Sequence, residues 1–81
     1  MDTMYERPEV QKELRALDAE ALRAFASGLS PRETVVLETR MVGIPPRRWE
    51  SLARTMGISR DMVRQLEAAV IVKFDAWKQT R

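Results

Sequence analysis

Between Leu52 and Leu66 the chain reads LARTMGISRDMVRQL, and the spacing inside this stretch restricts the fold more than any other feature. Ala53 is small where two crossing helices must touch. Gly57, four residues on, suits a left-handed exit from a first helix, which glycine enters without a Cβ penalty. Val63, six residues further, points back between the helices, and Leu52, Met56 and Leu66 fill the same pocket at helical spacing. Ser59 stands where a second helix needs an N-cap oxygen. This is the pattern of a helix-turn-helix. Arg60, Asp61, Arg64 and Gln65 are left on the outward face of its second helix, where cation, carboxylate and amide can meet base edges in a major groove. Arg47, Arg48 and Arg54 bracket the first helix and are expected on the phosphate backbone.

The rest of the composition narrows the function. At 81 residues the chain is one small domain, 1–81, and its 44% hydrophobic and 32% charged residues are those of a globular protein. It contains neither cysteine nor histidine, so disulfides, a Cys/His zinc site and Ser/Cys–His catalysis cannot be built from it. No enzyme activity and no cofactor are expected. No apolar run approaches bilayer length, and the polar start MDTMYERPEVQKE is not that of a signal peptide, so a cytoplasmic, nucleoid-associated protein is expected. The net charge of +2 hides a segregation. Residues 1–39 hold five Lys/Arg against eight Asp/Glu, net −3, while residues 40–81 hold nine against four, net +5. The basic half is the half with the helix-turn-helix, as a phosphate-binding surface requires.

Punctuation along the chain predicts an all-α fold of four to five helices with a C-terminal helix-turn-helix and no strand. Pro8 suits the first turn of a helical extension over residues 8–27, with Val10, Leu14, Leu17, Ala21 and Phe25 as its apolar stripe. Leu17-Asp18 followed by Leu22 also reads as a staple and cap, so that this helix breaks near Asp18 in an alternative reading. Gly28 closes it. Ser30-Pro31-Arg32-Glu33 is a capping box with proline at the first helical position, opening a helix that carries Val35, Val36, Leu37 and Met41 and ends near Gly43. Pro45-Pro46 forbids continuation. The helix-turn-helix occupies 47–78, with helices near 47–56 and 60–78; Val70, Phe74 and Trp77 join Val63 and Leu66 on the core side.

With these pieces placed, the stretch from Leu29 to Phe74 resembles region 4 of the sigma-70 family, the bacterial sigma-factor domain that reads the −35 promoter element and docks on the RNA polymerase β-flap. The resemblance rests on Leu29-Ser30-Pro31-Arg32-Glu33, Val36-Leu37, Arg40, Gly57-Ile58-Ser59-Arg60 and Val63-Arg64-Gln65-Leu66-Glu67, covers about residues 19–75, and is closest to alphaproteobacterial heat-shock sigma factors. It implies base and phosphate contacts for Arg60, Arg64 and Gln65. Asp61 stands where the family usually has Glu, Met62 where it has Arg, and Arg48 where threonine commonly caps the first helix. It also implies a groove for a β-flap helix, lined here by Leu29, Val36, Leu37, Met41, Leu52 and Met56. The −10-reading region of a sigma factor has no room in this length. The chain opens on Met, so the resemblance points to a stand-alone region 4, like the small halves of split sigma factors or the sigma-like parts of gene transfer agent activators. Such a protein activates transcription with a second regulatory protein that helps to place it on promoter DNA.

Two other readings stay open. A LuxR-type effector domain also opens on L-(S/T)-P-R-E, but the Pro-Pro loop lengthens the interval to the helix-turn-helix and the RQLE run has no counterpart there. A protein-interaction or anti-sigma-like module would bind polymerase without reading DNA. Val72 supports it, lying opposite the core on a helical wheel, with Trp49 and Ile71 flanking it and Ile44 in the loop. Whether Arg60, Arg64 and Gln65 stand free or are tied into internal ion pairs separates the two.

Overall fold

Side-chain oxygens begin three of the helices. In the computed structural model, which describes residues 8–80, Asp18 accepts from the Ala21 N–H at 2.7 Å, Ser30 from Glu33 at 3.2 Å and Ser59 from Met62 at 3.0 Å. Each cap satisfies an amide that the first helical turn cannot. The elements are α1 (Pro8–Ala16), α2 (Ala19–Ala26), α3 (Pro31–Val36) running on into a π-helical turn (Leu37–Met41), α4 (Trp49–Met56) and α5 (Arg60–Gln79). The fold is all-α, with no strand among the described residues. Residues 1–7 and 81 lie outside the described residues, and most of the polar start read against a signal peptide lies there.

The extension 8–27 is two helices, with the Asp18 cap supplying a new start at Ala19. At Ser30 both halves of the capping box form, the Glu33 carboxylate accepting from the Ser30 N–H at 2.9 Å. The helix that follows is α-helical only to Val36. Beyond it the Val42 N–H reaches back five residues to the Leu37 carbonyl at 2.9 Å, and Leu37, Arg40 and Met41 all turn inward. Gly43 follows at a close approach: a Cβ there would sit 2.8 Å from the Thr39 carbonyl oxygen. Arg47 and Arg48 precede α4 and are not part of it, since Arg48 keeps an extended backbone (φ −74, ψ 154).

Helix α4 ends at Gly57, whose φ of 71 and ψ of 32 are left-handed, and the Ile58 N–H returns to Ala53 at 3.0 Å. This turn sets α4 across the first half of α5, while the second half of α5 packs against the earlier helices. Buried Val10 and Leu14 of α1, Phe25 of α2, Val36, Leu37 and Met41, Leu52 and Ala53 of α4, and Val63, Val70, Ile71 and Phe74 of α5 form one core. Phe25 meets Phe74 edge-on at 5.3 Å, and Trp77 stacks on Phe74 at 5.9 Å. Lys73 of α5 holds the Glu33 carboxylate of α3 at 2.8 Å, so one buried acid serves both the cap and the helix pair.

Candidate nucleic-acid interface

The first turns of α5 carry the reading candidates, with Val63 and Glu67 buried alongside them. Arg60, Asp61 and Gln65 are exposed, and Arg64 is about half-buried, with its side chain 33% accessible. Arg60 donates to Glu50 of α4 at 2.9 Å, a pair in which both side chains are more than half exposed. Arg64 lies 3.6 Å from Asp61, one turn earlier. Gln65 faces solvent and Ser59 serves as the helix cap. On the preceding segment Arg48 and Arg54 are exposed, whereas Arg47 lies along α4, donating to Ser51 Oγ at 2.6 Å and Thr55 Oγ1 at 2.9 Å. The structure thus joins Arg60, Arg64 and Gln65 to α4 in one surface, with Glu50 and Asp61 among its cations.

Beneath this surface lies a cluster that the spacing argument did not find. Glu67 is fully buried, and its Oε1 accepts from both Arg40 Nε and Trp49 Nε1, each at 2.7 Å. Arg40 also donates to the Arg47 carbonyl at 3.0 Å, which fixes the chain entering α4. The guanidiniums of Arg40 and Arg64 both lie over the Trp49 ring, each 4.6 Å from its centroid. The signal was present in the sequence. Glu67 falls on the 63–67–70–74 stripe and Arg40 falls between Leu37 and Met41, and opposite charges on core-facing stripes imply a buried partner.

Several expectations need correction. Ile71 is buried at 5% exposure and Trp49 is half-buried within the cluster, which leaves Val72 and Ile44 as the exposed members of that set, at 66% and 82%. The groove drawn for a partner helix is not open either. Val36, Leu37, Met41 and Leu52 are at most 1% exposed, because the core that α1, α2 and α5 complete covers them. Leu29 and Met56 alone of that set are half-buried at its edge. No group of three Asp/Glu among the described residues is placed to hold a metal, and no described helix is long and apolar enough to cross a membrane. Comparison of the chain with protein-family models, curated proteins and solved structures finds no match.

Proposed function

We propose that the chain is a DNA-binding transcription module in which α4 and α5 work as a helix-turn-helix, with the first two turns of α5 in the major groove. The observation that carries this reading is that Arg60, Asp61 and Gln65 stand exposed, with the half-buried Arg64 beside them, on a helix anchored by buried Val63 and Glu67. Arg48 and Arg54, exposed on the flank, supply backbone contacts. The two ion pairs on the face do not stand in the way. Exposed pairs of the Arg60–Glu50 kind contribute about 0–1 kcal/mol, and a phosphate replaces the carboxylate at little cost.

The resemblance to sigma region 4 extends the proposal to a −35-type promoter element in bacterial cytoplasm, with RNA polymerase and a second regulatory protein as partners. For the polymerase β-flap, Leu29 and Met56 are the members of the expected groove that a partner helix reaches without opening the core. The alternative, a module that binds polymerase without reading DNA, is favoured by Arg60 and Arg64 lying in internal contacts.

Enrichment of bound duplexes from a randomised pool, with retention of RNA polymerase scored in parallel, decides between them. Arg64→Ala and Gln65→Ala are each expected to cost about 1–3 kcal/mol on the enriched sequence and to spare binding to unrelated duplex. Retention of polymerase with no enriched sequence establishes the alternative.

A further inference from the structure

We propose that Trp49 is a positioning residue: it holds Arg64 as a preset fork for guanine and thereby sets the base preference of one position in the DNA site. This rests on the DNA-reading proposal. The two arginines of the reading face are held in different ways. Arg60 meets a single carboxylate in a pair with both side chains more than half exposed, so its head can follow whatever anion approaches. Arg64 has its Nε buried and its guanidinium over the indole at 4.6 Å, while its Nη1 lies 3.6 Å from the exposed carboxylate of Asp61.

The indole is itself held from below. Its Nε1–H and Arg40 Nε share the same oxygen of fully buried Glu67, and the Arg40 guanidinium lies over the same ring. Trp49 therefore cannot swing without breaking bonds in the interior. The direction of Arg64 is inherited from the core through α4 and not chosen at the surface. A phosphate accepts a cation from many directions, whereas the O6 and N7 of guanine accept a guanidinium fork in one. An arginine fixed in advance loses less freedom on meeting a base. The fixed arginine is thus the reader and the loose one the backbone contact.

Enrichment from a randomised duplex pool with the full chain tests this, comparing the parent with Trp49→Leu, Trp49→Phe and Arg60→Ala. The parent is expected to enrich a site containing a guanine whose preference Arg64→Ala abolishes. Trp49→Leu should lower the preference at that base pair by about tenfold and leave the other positions as they are. Trp49→Phe, which keeps an aromatic face but loses the Nε1–H bond to Glu67, should fall between the parent and Trp49→Leu. Arg60→Ala should weaken all sequences alike.

A folded Trp49→Leu protein that enriches an unchanged site overturns the proposal while DNA reading stands, and so does an equal loss at every position. Should the parent enrich no sequence, DNA reading itself falls. A reading independent of any variant comes from NMR of the parent bound to its enriched duplex. The Arg64 Cδ protons should be shifted upfield by the indole, and resonances at random-coil positions in the complex refute the proposal even if Trp49→Leu does not fold.

Discussion

Replacing Glu67 by alanine tests the buried cluster most directly. The carboxylate has no exposure, and Oε1 serves two donors at 2.7 Å, one of them a guanidinium whose side chain is 11% exposed. Hydrogen bonds to a charged group contribute about 1.5–3 kcal/mol each, and removing one partner of a buried ion pair costs about 3–5 kcal/mol, because the survivor is left charged and dry. The Arg47 carbonyl still accepts from Arg40, so the lower end, about 3 kcal/mol, is expected. A chain of this length has a total stability of about 4–12 kcal/mol, so Glu67→Ala removes a large part of it and lowers Tm by at least about 12 °C. Urea unfolding followed by far-UV circular dichroism measures the loss. The pair Arg40→Met with Glu67→Leu should recover at least half of it, since no buried charge remains. A loss under about 1 kcal/mol, or a double variant no more stable than the single one, refutes the assignment of the pair as a buried ionic anchor.

Gly57→Val should cost at least about 1–2 kcal/mol although a Cβ at Gly57 meets nothing within 4 Å, because the cost lies in the left-handed backbone; Gly57→Asn should cost less, and equal melting temperatures for the two contradict this. Glu33 is held below its ordinary carboxylate value of 4.5, by the Lys73 hydrogen bond first and then the Ser30 N–H, against burial, which pushes it up. With a depressed folded value its contribution is complete above the unfolded value and is lost as pH falls through the folded one. Glu33→Gln, which keeps the capping box, should therefore be less stable than the parent at pH 7, by no more than about 1 kcal/mol given the exposed Lys73, with the difference closing below pH 4.5. A difference that persists unchanged to low pH refutes this. Arg48→Ala should weaken binding to every duplex alike and reduce the slope of log K against log salt by about one; an unchanged slope shows that Arg48 does not touch the backbone.

Local chemistry determined the ends of the helices. Ser30 with Pro31 and Glu33, Ser59, and Gly57 act on amides and torsions within a few residues of themselves, so their effect is legible without knowing what packs against them. Asp18 was legible in the same way, as the cap of the second reading of the N-terminal segment. Periodicity likewise marked Val63, Val70 and Phe74 as core and left Arg60, Asp61 and Gln65 on the other side of α5. What depends on a partner distant in sequence was decided only in three dimensions. Whether Val36, Leu37, Met41 and Leu52 line an open groove or a closed interior depends on where α1, α2 and α5 lie, and the folded chain closes it. The fate of Trp49 turns on Arg40 and Glu67, nine residues before it and eighteen after, which meet because the π-helical turn, α4 and α5 converge there. Burial makes that meeting necessary: a charge removed from water must find its opposite, and the tertiary fold alone specifies which one is within reach.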